Sequence, residues 1–246
     1  FRRVLFRSKT FVANGVYGMT VITSLTAQNT KEVRMVEDVS IEMLKNQIEA
    51  IFDVMEVSAI KIGMLNSKKN GEVVYSNLLK YKAKKIKIVF FDIDDTLRTS
   101  KTGFIPATIP TVFKQLREKG ILTGIASGRG IFGVVPELRE LKPDFFVTLN
   151  GAYIEDKKGQ VIYQHQIAKE DVEEYIAWTK QEEIEYGLVG SHAAKLSTRT
   201  EMISEAIDPI YPNLDVDPDF HEKADIYQMW TFEDKGDDLH LPDSLS

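Results

Sequence analysis

The hydrophobic pattern is strongest in residues 86–97, where an almost unbroken apolar run leads into acidic side chains. The apolar members are Ile86, Ile88, Val89, Phe90 and Phe91. Such a run of β-branched and aromatic residues predicts a central parallel strand that is covered on both faces. Asp92, Asp94 and Asp95 follow it. Because side chains alternate along an extended chain, we expect Asp92 and Asp94 on one side and Asp95 on the other.

Strand and helix patterns alternate after this run. A helix is predicted near residues 109–119, and Gly120 ends it in the usual C-terminal position. Residues 121–126 and 145–149 predict two further strands, with a short helix between them. The alternation predicts an α/β fold, with a Rossmann-like parallel sheet and right-handed crossovers over residues 86–152.

The segment 153–246 mixes both periods and predicts an α/β cap domain. Residues 153–164 have the pattern of a hairpin that bends at Lys158-Gly159. A helix is predicted over 169–182 and a late strand over 225–232. Trp178 and Trp230 are assigned to the core of this cap.

The segment 9–67 predicts a second, smaller α/β unit. Strands are expected over 21–27 and 57–65, and Ser40 is the expected N-cap of a helix between them. The apolar face of that helix comprises Ile41, Leu44, Ile48, Ile51 and Met55.

Two stretches fit neither unit. Residues 1–8 form a basic start that we interpret as an unrelated leader. Residues 68–85 are rich in lysine and contain a turn signal, Asn70-Gly71. We interpret them as a linker, with a solvated helix as the other possibility.

Composition narrows the functional classes. The 246 residues carry a net charge of -6, which gives no reason to expect a nucleic-acid partner. The absence of cysteine excludes disulfides, thiolate metal sites and cysteine nucleophiles. No apolar run approaches the length of a membrane span, and we expect a cytoplasmic protein.

The acids after the first run suggest a cation site. Three crowded carboxylates repel one another unless a cation or a proton offsets their charge. Two acids converging at a strand tip suit Mg2+, which takes one or two carboxylates and keeps its other positions for water and substrate phosphate. The alternative is a solvated turn. The four histidines lack metal-ligand spacing and are expected at the surface.

Three motifs together resemble the haloacid dehalogenase superfamily, specifically its Cof-type phosphatases. They are DIDDT (92–96), SGR (127–129) and LNGA (149–152), each after a predicted strand. The resemblance implies that Asp92 is the nucleophile and a Mg2+ ligand. It also implies that Asp94 is the general acid and base and offers its backbone carbonyl to Mg2+.

The same resemblance gives roles to six other residues. Ser127 would hydrogen-bond the transferring phosphoryl group, and Thr96 would brace the acidic loop. Gly128, Arg129, Asn150 and Gly151 would lie on the substrate side. For Arg129 a surface salt bridge remains an alternative, and Asn150-Gly151 could be a turn alone. The substrate would be a small phosphorylated metabolite chosen by the cap.

A second resemblance covers the segment 9–67. NGVYGMTVITSLTAQNT (14–30) and IKIGML (60–65) are similar to the phosphomethylpyrimidine kinases of thiamine biosynthesis, which have a ribokinase-like fold. In that family the residues matching Gln28 and Met64 line the pyrimidine pocket.

Neither resemblance is complete. The phosphatase family has a lysine motif and a later acidic pair after the cap; Gly236-Asp237-Asp238 is interpreted as a surface turn instead. The kinase family's glycine-rich opening and catalytic base are also missing. The sequence therefore predicts a truncated phosphatase fused to a kinase fragment. A bifunctional enzyme and a non-catalytic phosphate-binding chimera are the alternatives, and the oligomeric state stays open.

Overall fold

A computed structural model describes residue 11 and residues 15–28, 32–81, 86–99 and 102–233. The predicted leader and the turn at 236–238 lie outside these ranges. The chain divides into two compact units, one up to Thr123 and one from Gly124 onward. Parallel strand pairs occur in both units, which confirms the predicted α/β class.

The first unit opens with an antiparallel hairpin, β1 (Ser24–Gln28) and β2 (Val33–Asp38). Helix α1 (Ile41–Phe52) follows, and the Ser40 hydroxyl accepts the Met43 N–H at 3.1 Å. The predicted N-cap is thereby confirmed, because this contact satisfies one of the unpaired N–H groups of the first turn.

The face of α1 is shorter than its sequence pattern. Leu44 and Ile48 are buried as predicted. Met55 lies beyond the end of the helix and is 39 % exposed. The apolar spacing of the sequence therefore continues beyond Phe52, where the chain is no longer helical.

The lysine-rich stretch begins as a helix, α2 (Lys68–Lys80), so the helical alternative to a linker is confirmed for those residues. The predicted turn at Asn70-Gly71 is wrong, because both residues lie within α2. Asn70 is 1 % exposed, and its side-chain amide donates to the Leu65 carbonyl at 2.9 Å. Asn70 therefore lies in a helix and is held by its bond to the preceding loop, and no turn forms there. Residues 82–85 lie outside the described ranges.

Two strands of the first unit pair in parallel. They are β3 (Ala59–Ile62) and β4 (Ile88–Phe91), with Ile62 opposite Phe91. Helix α3 (Ile109–Glu118) packs its buried Phe113 against Phe91, with ring centroids 5.0 Å apart. The carboxyl ends of β3 and β4 therefore lie side by side.

A polar network joins the hairpin to the loop after β3. The Asp38 carboxylate accepts hydrogen bonds from the Ser24 hydroxyl and the Asn66 amide, both at 2.7 Å. These two bonds are the main reason that the pKa of Asp38 lies below its ordinary value of 3.8. The charged form is thus preferred in the folded state.

We expect Asp38→Ala to lower the free energy of unfolding by on the order of 1–2 kcal/mol at neutral pH, since two charge-assisted hydrogen bonds are lost. A lowered pKa stabilises the fold above the ordinary value of 3.8, and this contribution disappears as the pH falls through the folded-state pKa. Urea unfolding followed by far-UV circular dichroism at pH 7 and pH 3 measures both effects. Glu37→Ala, an exposed neighbour in β2, is the control. A difference of equal size at both pH values would contradict the assignment.

The second unit contains a sheet with mixed strand directions. Strand β5 (Leu122–Ala126), which starts at the end of the first unit, pairs in parallel with β6 (Phe145–Thr148) from Gly124 on, and α4 (Pro136–Glu140) lies between them in sequence. The predicted hairpin forms as β7 (Tyr153–Asp156) and β8 (Val161–Gln164). Its assignment to the cap is wrong, because β7 pairs antiparallel with β6 and extends that sheet.

The segment predicted as the cap contains a separate three-stranded antiparallel sheet. Its order is β10–β9–β11, and its members are β9 (Glu185–Val189), β10 (Ala194–Leu196) and β11 (Gln228–Phe232). The predicted helix forms as α5 (Lys169–Gln181) and packs on this sheet, with Val172, Tyr175, Ile176 and Thr179 buried. Helix α6 (Glu201–Ile207) follows β10. In the described part of the chain, no helix combines the length and apolar character needed to cross a bilayer.

Candidate active site

The acidic residues lie where β4 ends. Asp92 and Asp94 are half-buried, Asp95 is exposed, and Ile93 between the first two is fully buried. Ile93 is buried between two partly exposed neighbours, but the chain turns from Ile93 onward, so the expected placement of Asp95 opposite Asp92 and Asp94 stays a prediction. The buried isoleucine fixes the two half-buried acids to the same end of the strand.

The Asp92 carboxylate has a different partner for each oxygen. Oδ1 accepts the Ile93 N–H at 3.0 Å, and Oδ2 lies 3.6 Å from the Lys61 ammonium. The backbone N–H of Asp92 donates to the Ile62 carbonyl at 2.9 Å. Strand β3 therefore supports this residue through both backbone and side chain. Sequence reasoning missed Lys61, since nothing in the pattern shows that β3 pairs with β4.

The loop after the acids is a tight turn. Asp95 has a positive φ of 55°, and its N–H donates to the Arg98 carbonyl at 2.7 Å. Leu97 is 1 % exposed and anchors the turn in the core. The Thr96 hydroxyl is buried and has no hydrogen-bond partner within the described residues. A buried hydroxyl without a partner, two residues after Asp94 in the chain, is a polar group that an ion or a substrate oxygen would satisfy.

The second unit carries the remaining phosphatase motifs in one loop cluster. The Ser127 hydroxyl accepts the Arg129 N–H at 3.2 Å, and the Ser127 carbonyl accepts the Asn150 N–H at 3.3 Å. The Leu149 N–H donates to the Arg129 carbonyl at 3.0 Å. The structure thus brings Asn150 next to Ser127 and Arg129, which come much earlier in the chain. We call residues 127–133 the serine loop.

Two glycines lie at restricted positions of this cluster. A Cβ atom on Gly128 would lie 2.9 Å from the Asn150 side-chain oxygen, so the Asn150 side chain would have to shift. Gly151 has a φ of 99°, which side chains other than hydrogen rarely tolerate. Asn150 and Gly151 lie in a short 3-10 segment, Leu149–Gly151, and Asn150 has a positive φ of 57°.

Arg129 is held inside the second unit. It is 6 % exposed, and its guanidinium donates to the Ile210 carbonyl at 3.1 Å. The surface salt bridge considered from sequence is therefore wrong for this residue. The adjacent Gly130 N–H donates to the Tyr211 hydroxyl at 2.9 Å, and the Tyr211 ring packs against Phe132 with centroids 5.0 Å apart. Residues 210 and 211 thus brace the serine loop.

We expect Tyr211→Phe to loosen this loop without removing the ring packing. The Gly130 N–H would lose its acceptor in a buried position, so its amide hydrogen should exchange about fivefold faster. Hydrogen exchange measured by NMR tests this. Tyr186→Phe, which removes a hydroxyl bonded to the Pro218 carbonyl, is the matched control and should leave Gly130 unchanged. Equal protection of Gly130 in Tyr211→Phe and wild type would contradict the proposed brace.

The two residues predicted for the pyrimidine pocket lie in the first unit. Gln28 ends β1, and its side chain is outside the described part of the structure. Met64 follows β3 and is half-buried, and its carbonyl accepts the Thr23 hydroxyl at 2.9 Å. This contact joins the chain before β1 to the end of β3.

The described residues contain no group of three or more histidines and carboxylates arranged to hold a metal ion. Asp92 and Asp94 at the end of β4 are thus fewer than the three groups that such a cluster needs. Two carboxylates are still compatible with Mg2+, because this ion commonly completes its shell with water and substrate phosphate.

The acidic residues after one parallel strand and the serine loop after another are features of an α/β protein. The chain belongs to the haloacid dehalogenase-like hydrolases, and residues 89–242 match that family. Residues 8–92 match the phosphomethylpyrimidine kinase family, which extends past the boundary predicted at residue 67. The two matches meet at β4. Both resemblances predicted from the sequence are confirmed.

Individual relatives agree with this division. A putative bifunctional phosphatase/peptidyl-prolyl cis-trans isomerase of Streptococcus pyogenes serotype M6 is 55 % identical over 168 residues, which cover 68 % of this chain and 36 % of the relative. A hydroxymethylpyrimidine/phosphomethylpyrimidine kinase of Rhizobium meliloti is 45 % identical over 73 residues, covering 30 % of this chain and 27 % of the relative. The chain thus spans about a third of the length of the curated relatives it matches.

One solved structure is informative about the match to the haloacid dehalogenase-like hydrolases. A sugar phosphatase of haloacid dehalogenase subclass IIB aligns with a TM-score of 0.50 and 28 % identity, over 58 % of this chain and 57 % of that chain.

Proposed function

We propose that this chain is a phosphatase of the Cof type, which hydrolyses a small phosphate monoester through an aspartyl-phosphate intermediate with the help of Mg2+. The observation that carries the proposal is the Asp92 carboxylate at the tip of β4. One of its oxygens is fixed by the Ile93 N–H, while the other lies 3.6 Å from a lysine. Membership of the haloacid dehalogenase-like hydrolases supports the same chemistry.

The proposed reaction has two balanced steps. In the first, an oxygen of Asp92 forms a bond to phosphorus as the bond from phosphorus to the ester oxygen breaks, and that oxygen takes a proton from the Asp94 carboxyl group. In the second, water attacks phosphorus and gives a proton to Asp94. The bond between phosphorus and Asp92 breaks, which releases phosphate and restores the carboxylate.

Mg2+ would be held by the Asp92 carboxylate and the backbone carbonyl of Asp94. When bound, the ion supplies positive charge that offsets the phosphoryl oxygens. The half-buried carboxylates and the orphaned Thr96 hydroxyl fit such a polar site. For Thr96 itself the proposed role is to brace the loop that carries the acids.

The other motif residues are proposed to serve the substrate. Ser127 would hydrogen-bond the transferring phosphoryl group, and this role rests on the sequence motif. Gly128, Asn150 and Gly151 would keep the adjacent backbone in shape for substrate. Substrate contact by Arg129 stays a prediction, since its guanidinium also bonds the Ile210 carbonyl.

The direct test is hydrolysis of p-nitrophenyl phosphate by the full chain, with Mg2+ and with an excess of chelator. Hydrolysis that requires the added metal is expected. A panel of sugar phosphates then addresses the substrate, because a structurally similar protein is named a sugar phosphatase. Binding of inorganic phosphate without any turnover would favour a non-catalytic phosphate-binding chain instead.

A second candidate function is phosphorylation of hydroxymethylpyrimidine phosphate. It is favoured by the kinase-family match over residues 8–92 and by the placement of Met64 directly after β3. ATP-dependent conversion of hydroxymethylpyrimidine phosphate by the full chain would support it, and a chain that only hydrolyses phosphate esters would oppose it.

A further inference from the structure

Lys61 lies next to the proposed nucleophile although it belongs to the kinase-like segment. In the parallel register of β3 and β4, Lys61 is opposite Phe90 and Ile62 is opposite Phe91. Ile62 and Phe91 are both buried, so they share the core-facing side. By alternation, Lys61, Phe90 and Asp92 share the other side, which explains why the lysine reaches the aspartate.

The contact has the geometry of an ion pair without a close hydrogen bond. The distance from Nζ to Oδ2 of Asp92 is 3.6 Å, and the two side chains are 27 % and 22 % exposed. At this distance the ammonium attracts the carboxylate but does not engage an Oδ2 lone pair as a normal hydrogen bond would. The lysine can therefore offset charge while leaving Oδ2 available to form a bond.

The negative charges at the end of β4 explain what a nearby lysine would contribute. Asp92, Asp94 and Asp95 place three carboxylates within four residues, and a phosphate ester would bring further negative charge to them. Like charges at short range repel strongly in a partly desolvated site. A cation fixed on the neighbouring strand reduces this repulsion before substrate binds. Charges that are fixed in advance in this way stabilise the reacting groups of active sites.

We propose that Lys61 is a charge-compensating and positioning residue for the Asp92 nucleophile, so that the kinase-like and phosphatase-like segments together form one composite site. The inference rests on the proposed phosphatase function. Lys61 takes no part in the proton transfers of the two reaction steps. Its contribution is to hold the Asp92 carboxylate and to lower the cost of bringing a phosphoryl anion beside it.

The test compares three variants of the full chain. Lys61→Met removes the charge at similar side-chain length, Lys61→Arg keeps it, and Lys87→Met removes the charge of an exposed lysine just before β4. With p-nitrophenyl phosphate and Mg2+, we expect Lys61→Met to lower kcat about tenfold or more. Lys61→Arg should recover activity to within about threefold of wild type, and Lys87→Met should match wild type.

Each result decides the inference. Thermal unfolding is followed for every variant, and if Lys61→Met does not fold, Lys61→Gln takes its place. Activity of the neutral variant within twofold of wild type, or a loss that Lys61→Arg fails to recover in a folded protein, would overturn the role of Lys61. A loss of equal size in Lys87→Met would overturn it too.

Failure of the phosphatase function is recognised separately. If wild type hydrolyses no ester, inorganic phosphate is titrated into each protein and its binding is followed by 31P NMR. Weaker binding in Lys61→Met, with unchanged binding in Lys61→Arg and Lys87→Met, would support an anion site that depends on Lys61. Equal binding in all proteins, or none in any, would overturn the inference.

Discussion

Asp92→Asn is expected to reduce Mg2+-dependent hydrolysis of p-nitrophenyl phosphate by about a thousandfold or more. The amide is almost the same size as the carboxylate, and its oxygen can still accept the Ile93 N–H that bonds Oδ1 at 3.0 Å. It lacks the negative charge and nucleophilicity needed to form a bond to phosphorus. The fold should therefore persist while the covalent step fails.

Asp95→Asn is the matched control for this loss. It removes one negative charge from the same loop, and asparagine tolerates the positive φ of 55° that this position adopts. Steady-state kinetics and thermal unfolding should be measured for both variants. Hydrolysis by Asp92→Asn at a rate close to that of Asp95→Asn would exclude Asp92 as the nucleophile and would require another route to the products.

Asp94→Asn is expected to produce a loss that depends on the leaving group. A general acid contributes about 10^2–10^4-fold where the leaving oxygen needs a proton, so hydrolysis of an alkyl phosphate should fall by that amount. The p-nitrophenolate ion leaves readily without a proton, and its release should fall much less. This difference separates proton donation from a structural effect, since misfolding would slow both substrates equally.

The ratio of the two rates is the quantity to measure. Single-turnover formation of p-nitrophenol and of the alcohol from a sugar phosphate should be compared in wild type, Asp94→Asn and Asp95→Asn. Equal losses on both substrates in Asp94→Asn, with an unchanged melting temperature, would remove Asp94 from the role of acid. The second step also uses Asp94, so aspartyl-phosphate should accumulate in this variant when the aryl ester is the substrate.

The hairpin and the lysine-rich stretch show where sequence patterns were insufficient. Residues 153–164 were recognised as a hairpin from their alternation and from Lys158-Gly159, but alternation does not reveal which sheet receives the hairpin; the structure pairs β7 with β6. Asn70-Gly71 has the composition of a turn and lies in α2, because the buried Asn70 amide finds its acceptor at Leu65. In both cases contacts outside the local pattern decided the outcome.

The residues that contact the acidic tip and the serine loop could not be identified from the sequence. Tyr211 and Ile210 follow α6 with no periodic or motif context, yet their hydroxyl and carbonyl oxygens accept hydrogen bonds from the serine loop. Lys61 stands in a strand whose resemblance is to a different family from that of Asp92. A side chain that acts across a strand pair can be found only when the pair and its register are known.

Sequence patterns were sufficient to predict the two family resemblances, the α/β class, the acidic tip after β4 and the serine after β5. These follow from local chemistry, because a buried strand needs a continuous apolar run and the motifs are short and contiguous. The folded structure was needed to show that β3 lies beside β4 and that Lys61 lies 3.6 Å from Asp92. The pairing and register of parallel strands depend on long-range packing and backbone hydrogen bonds, which no local residue pattern specifies.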